Sequence, residues 1–317
     1  MSRISPNTKE TNKNYVREGQ PLKSKGVALA AGDLCVELLP SAGGSIARFD
    51  RMHANRRQPL FRGRAGGSDD VLAMGCFPLV PFANRIRGGA FSCDGRDVCL
   101  TPNLAGDVSP LHGQGWRAPW ATVEKSERAA VLSFSHEAGE WPWHYDAEQR
   151  IELDPNGLSL TLSCINRSAE RMPCGLGFHP YYPCDAETVL DTRVERAWTV
   201  DDLVLPVESV AATGRYDLRE RRICGQSLDH GFDGWGGEAT IRWAGEAFAL
   251  RLSSRQARRF QVYSPPEGGY FAAEPVQNAN AALNAPPESW PDLGISWLAT
   301  GEKAKLAVRF DVIRIEA

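Results

Sequence analysis

Two side chains in this sequence are suited to moving protons, and each sits in a stretch that would restrain it. His179 lies in Cys174-Gly175-Leu176-Gly177-Phe178-His179-Pro180-Tyr181-Tyr182-Pro183. Imidazole titrates near neutral pH, so a held histidine can give and take a proton. Pro180 biases His179 toward extended backbone, and the two glycines permit a tight turn or a close approach to a ligand. Glu274 lies in Phe271-Ala272-Ala273-Glu274-Pro275-Val276. A carboxylate among small apolar residues loses hydration, which raises its proton affinity and makes it a better base. Each has an ordinary alternative: a histidine packed among core aromatics, and a glutamate paired with an arginine at a strand end.

Further stretches carry groups that could hold a polar substrate. Pro78-Leu79-Val80-Pro81-Phe82-Ala83-Asn84-Arg85-Ile86 presents Asn84 and Arg85 as several donors in fixed geometry, suited to hydroxyls or a carboxylate. The same pair could simply close a surface turn. Leu111-His112-Gly113 offers a second imidazole near Trp116 and Trp120. Trp141-Pro142-Trp143 offers flat aromatic faces that could wall a site, with Trp143 as the expected wall; core packing is the other reading. Ser227-Leu228-Asp229-His230-Gly231-Phe232 supplies Asp229, with Asp233 as a competitor, and either could cap a turn. His53, His136 and His144 read as structural or exposed.

Strands must position these groups, because the chain shows few long helical periodicities and many short alternating runs. Val27 to Pro40, Ala90 to Leu100, Ala121 to Glu137, Tyr145 to Asn166 and Thr240 to Ser254 read as hairpins, and Asp94-Gly95 is a hairpin turn signal. Leu158, Leu160, Leu162 and Cys164 alternate with Ser159, Thr161 and Ser163, the pattern of a strand with one buried face. Gly44 to Asp50, Thr188 to Val200, Phe260 to Tyr263 and Lys303 to Asp311 read as further strands. At 317 residues and 42% hydrophobic content the chain can bury a large core, and β folds of this size form single domains. The expectation is one large antiparallel all-β sandwich over residues 27–317, preceded by a flexible polar arm over residues 1–26.

The net charge of −3 gives no reason to expect nucleic acid or an anionic membrane as partner. No apolar run approaches the roughly 18 residues of a membrane span, and the polar N-terminal stretch lacks the apolar core of a secretory signal. The eight cysteines include no Cys-x-x-Cys. Scattered in this way, they are expected to be reduced, mostly buried thiols of a cytoplasmic protein rather than a metal site.

Gly175 to Tyr182 resembles the Gly-x-Gly-x-His-Pro-Tyr-Phe signature of the aldose 1-epimerase (mutarotase) family, with Tyr182 in place of Phe. Pro81 to Ile86 is similar to that family's Pro-Phe-x-Asn-Arg-Ile, and Leu228-Asp229-His230-Gly231-Phe232 to its Leu-Asp-His-x-Phe. His112-Gly113, the Trp141 to Tyr145 aromatic segment and Glu274-Pro275 also resemble family segments, in the family's order. Leu298-Ala299-Thr300-Gly301-Glu302 is similar to a Leu-x-Pro-Gly-Glu turn, with Thr300 replacing the proline.

The resemblance implies a galactose mutarotase-like β-supersandwich that interconverts the α and β anomers of an aldose. It makes Glu274 the base at the anomeric hydroxyl and His179 the acid at the ring oxygen. Asn84, Arg85, His112, Trp143 and Asp229 would bind the sugar. Ring opening, rotation and closure involve no redox change, so neither cofactor nor metal is required, and the only partner implied is the sugar. Three alternatives remain at this stage. One is a hexose-6-phosphate 1-epimerase using Arg85, Arg87 or other arginines for phosphate. Another is a sugar-binding protein without catalysis. The third is a metal-dependent hydrolase using His112, His179 and Glu274 as ligands.

Overall fold

A computed structural model describes residues 26–53, 56–64 and 67–315. The expected N-terminal arm lies outside the described residues, apart from Gly26. The architecture is two large antiparallel sheets, one of eleven strands and one of nine, with two small two-stranded ribbons. Short 3-10 turns supply the helical residues among those described. The expected antiparallel all-β supersandwich is thus the observed one.

The hairpin Tyr145–Asp154 and Gly157–Asn166 shows why these segments become strands. Its register runs from Tyr145 opposite Asn166 to Asp154 opposite Gly157, leaving Pro155-Asn156 as the turn. Leu158, Leu160, Leu162 and Cys164 are fully buried. Ser159 and Thr161 keep partial exposure, while Ser163 is covered as well. Ala90–Cys93 and Arg96–Cys99 pair around Asp94-Gly95, both at positive φ as a primed turn requires.

The main core lies between the two sheets, where Phe61, just after the strand Arg56–Pro59 of the first, meets Phe310 of the second edge-on at 4.9 Å. The strand Gly177–Pro183 belongs to the large sheet. Period-two alternation sends Phe178 and Tyr182 into this core, where Tyr182 stacks on Phe271 at 5.2 Å. Burying each such ring contributes roughly 1.5–3 kcal/mol. The same alternation leaves His179 and Tyr181 on the opposite face. A Cβ on Gly177 would lie 2.8 Å from Val276 and 2.9 Å from Leu79 of the flanking strands. The glycine therefore serves close packing within the sheet, not the approach of a ligand.

Two expectations are corrected here. Thr188 to Val200 is not one strand. Val189–Thr192 joins the nine-stranded sheet and Arg196–Val200 joins the larger one. Leu190 and Ala197 are both fully buried but seven residues apart, so a straight strand would point them to opposite faces; a crossover between sheets buries both. The cysteines are also not all reduced. Cys184 and Cys224 form a disulfide with Cα atoms 5.7 Å apart. They are brought together by the turn 265–269, whose Gly269 accepts from the Cys184 N–H and donates to Cys224 Sγ. Cys76, Cys93, Cys164 and Cys174 are buried free thiols.

Candidate active site

The outer face of the large sheet is where His179 and Glu274, the two side chains suited to moving protons, meet. Gly177 lies opposite Val276 and Tyr181 opposite Ala272, so the same register puts His179 opposite Glu274. Pro180 and Pro275 lack N–H groups, which removes ladder bonds at this point. Across the next strands, His179 faces Phe77 and Glu274 faces Gln261. Side chains two residues along share that face. A second row therefore holds Tyr181, Ala272, Tyr263 and Asp229, the last opposite Tyr263. These rows floor a cleft of about 340 Å³, within the range of small-molecule sites.

Two loops wall it. Asn84 and His112 both adopt left-handed backbone, with φ of 63° and 60°. Such conformations cost energy outside glycine and persist where the surroundings fix them. Here the two residues fix each other. The His112 N–H donates to the Asn84 carbonyl at 3.0 Å, and the Asn84 N–H donates to His112 Nδ1 at 3.1 Å. A nitrogen that accepts carries no proton, so the His112 proton sits on Nε2. Burial first, then the nearby His179 and Arg85, hold its imidazolium well below the usual range. His112 is thus a fixed neutral donor. A Cβ on Gly113 would fall 2.2 Å from the Val80 carbonyl oxygen, so only glycine lets the loop close there.

The Asn84 loop is clamped from below by asparagines. Asn278 accepts from the Ala83 N–H at 3.0 Å and donates to the Ala83 carbonyl at 2.9 Å. Asn280 accepts from the Arg85 N–H at 3.0 Å. Arg85 Nε donates to Asp107 at 2.9 Å, which aims the guanidinium along the cleft wall.

His179 Nε2 lies 3.2 Å from Glu274 Oε1, with the Glu274 side chain 2% exposed. Burial pushes His179 down to about 3. Burial, reinforced by Asp229 and opposed by Arg85, raises Glu274 well above the usual carboxylate range. Both shifts disfavour charge. Across a 3.2 Å contact they favour a pair holding one proton between them, carried by the carboxyl or, after transfer, by the imidazole. Glu274 Oε2 and His179 Nδ1 are buried without a partner among the described residues. Orphaned atoms of this kind call for a ligand or a chemical role. The imidazole is steadied by Phe77, stacked at 4.6 Å, and Tyr181 at 4.5 Å.

Asp229 accepts from Gln261 Nε2 at 2.8 Å, and its proton affinity is raised, chiefly by burial. Its competitor Asp233 is engaged elsewhere, with Trp198 Nε1 and Arg259 Nε each at 2.7 Å. The structure therefore brings Asn84, Arg85, His112, His179, Asp229 and Glu274 around one cleft.

Trp143 is not among the lining residues. It is 2% exposed and packs on Trp141 and Phe91, under the Ala90–Cys99 hairpin. Ring type alone does not distinguish a cleft wall from a core. The aromatic lining of the cleft comes instead from Phe77, Trp116, Tyr181, Tyr263 and Tyr270. Arg87 also lies outside the cleft, donating to the Pro206 carbonyl and paired with Asp201 at 3.5 Å.

Sequence reasoning missed Arg62, Asp107, Gln261, Tyr263 and Tyr270. Counting back by twos from Glu274 reaches Tyr270, so the period-two signal was present for that residue. For Arg62, Asp107 and Gln261 no local signal existed.

Comparison with known proteins places the chain. The aldose 1-epimerase family model matches residues 27–310. An uncharacterized Escherichia coli protein, YphB, is 33% identical over 198 residues, covering 62% of this chain; the chain spans 64% of that relative's length. The Escherichia coli aldose 1-epimerase is 29% identical over 160 residues, 45% of this chain and 44% of that one. Among solved structures, a galactose mutarotase-like protein from Clostridium acetobutylicum superposes with a TM-score of 0.78 at 17% identity, covering 93% of this chain and 98% of its own. That last likeness concerns the fold.

Proposed function

The chain belongs to the aldose 1-epimerase family, and we propose that it interconverts the α and β anomers of an aldose by acid–base ring opening and closure. The observation that carries this reading is the 3.2 Å contact between His179 Nε2 and Glu274 Oε1 on the cleft floor. O1 and O5 of a cyclic aldose are both bonded to C1. A base for one and an acid for the other must therefore be neighbours, as these two are.

The proton count supports the same reading. The reactive form of the pair is Glu274 carboxylate beside His179 imidazolium, which has the same number of protons as the neutral pair. Glu274 takes the O1 proton while His179 gives its Nε2 proton to O5, and the C1–O5 bond breaks. This leaves neutral Glu274, neutral His179 and the open-chain aldehyde. After rotation about C1–C2, O5 attacks the other face of C1, returns its proton to His179, and the new O1 takes one from Glu274. No proton enters or leaves the pair over a full cycle. His112 Nε2–H, Arg85 and Asp229 orient the sugar and polarise the carbonyl.

A pH prediction follows. Turnover requires the pair to hold one proton, so kcat falls when it gains a second or loses the first. Burial opposes imidazolium and carries His179 down to about 3, so the acid limb lies far below neutrality. Glu274 is raised, so the alkaline limb lies well above the ordinary carboxylate range. A kcat profile with no alkaline decline would contradict the one-proton pair. The function itself is tested by polarimetry on freshly dissolved α-anomers. The protein should hasten the approach to equilibrium for at least one aldose, and no change for any neutral or anionic aldose would sink the reading.

A further inference from the structure

The acid–base reading leaves one charged group of the cleft without a task. Arg62 lines the cleft, and its guanidinium lies over two rings, 4.0 Å from the centroid of Tyr181 and 4.3 Å from that of Tyr270. Nη2 donates to the carbonyls of Leu72 and Met74. Nε is buried without a partner, and Nη1 makes no hydrogen bond among the described residues. No carboxylate pairs with Arg62 among the described residues, whereas Arg85 is matched by Asp107 at 2.9 Å. A guanidinium held between two tyrosines and two backbone acceptors is already ordered, so little side-chain freedom is lost when it binds an oxyanion.

Its position specifies which end of a sugar it would meet. This step rests on the proposed roles of His179 at O5 and Glu274 at O1. C5, which bears C6, is bonded to O5 on the side away from C1. Arg62 stands on the His179 side of the pair: it covers Tyr181, whose ring is 4.5 Å from the imidazole. Asp229 and Arg85 stand on the Glu274 side, where both act on its carboxyl. A sugar with O5 at His179 and O1 at Glu274 thus sends C6 toward Arg62 and its C2 and C3 hydroxyls toward Asp229 and Arg85.

We propose that Arg62 determines specificity by binding an anionic group at C6, so that the substrate is an aldose with a C6 carboxylate or phosphate rather than a neutral hexose. Binding there also serves the chemistry. The Arg62 charge is one of the influences that disfavour imidazolium on His179. An oxyanion on the guanidinium offsets that charge and helps His179 take up its proton as substrate arrives.

The test is the anomer exchange rate, by saturation-transfer NMR, for glucose, galactose, glucuronate and glucose 6-phosphate. One of the two anionic sugars should exceed glucose in kcat/KM by about tenfold or more, the scale of a charge-assisted contact. Whichever leads identifies the C6 group as carboxylate or phosphate. In Arg62→Gln the ratio of anionic to neutral turnover should fall by about tenfold, and Arg62→Lys should restore part of it. Thermal melts check that both variants are folded, and the wild-type ratio decides the matter even where Arg62→Gln is not. Equal or better turnover of the neutral sugars overturns this proposal and leaves the epimerase reading standing. So does a folded Arg62→Gln that loses both activities alike. No exchange on any sugar overturns both.

Discussion

Glu274→Gln should lower kcat by about 10²–10⁴-fold, the usual contribution of a positioned general base. The substitution keeps shape and polarity but removes the proton-accepting oxygen. It also breaks the one-proton pair, because an amide Nε2 next to His179 Nε2 can donate but cannot take the O1 proton. On this reading an amide can still hydrogen-bond the O1 hydroxyl in the ground state, so KM should change by less than about tenfold, and the loss should appear in kcat. His179→Gln should give a loss of similar size. The double variant should be little worse than either single, since the two act as a unit. Initial rates by polarimetry across substrate concentrations give both constants. Full turnover in Glu274→Gln would mean that another group takes the O1 proton.

Asn278→Ala should destabilise the protein by about 3 kcal/mol. Asn278 is 2% exposed, and its amide satisfies both the N–H and the carbonyl of Ala83, together with the carbonyl of Ala279. Alanine leaves the Ala83 N–H and carbonyl without partners in a place that water does not easily reach, while the Ala279 carbonyl keeps the Ala282 N–H at 3.3 Å. Each such loss typically costs about 1–3 kcal/mol. The effect should also reach the cleft, because Ala83 precedes Asn84 and Arg85, whose backbones are held by His112 and Asn280. Urea unfolding measures the first effect and KM the second. A loss below about 1 kcal/mol would show that the loop is held by its other contacts alone.

The two residues proposed to move protons are legible because their chemistry and their local pattern coincide. A histidine before proline and a glutamate inside an apolar run each mark a strand position, and period-two alternation says which neighbours share their face. What alternation does not supply is adjacency between strands far apart in sequence. Gly177 opposite Val276 is a long-range pairing, and nothing near either segment announces it. Thr188 to Val200 reads as one strand only while the phase of its apolar residues is left aside: Leu190 and Ala197 are out of phase, which marks the crossover between the sheets. The ring of Trp143 suits a cleft wall as well as a core, and burial of an aromatic depends on what covers it. Arg62 reaches the cleft, and Asp107 reaches Arg85, from loops whose paths are set by the whole fold, so residue type alone does not select them. The Cys184–Cys224 bond spans 40 residues, and no spacing rule pairs those two among eight cysteines.

The central claim is that this cleft exchanges anomers, and it can be tested without any net reaction. Sugars already at anomeric equilibrium are observed by saturation-transfer NMR with wild-type protein, with Glu274→Gln, and with no protein. Saturating the α-anomer proton should attenuate the β signal far more in the presence of wild-type protein than in its absence, for at least one sugar of a panel of neutral and anionic aldoses. The Glu274→Gln sample should match the protein-free one within about a hundredth of the wild-type enhancement. Equal transfer in all three samples for every sugar, with the sugar shown to bind, would contradict the account and leave a protein that holds sugars without interconverting them.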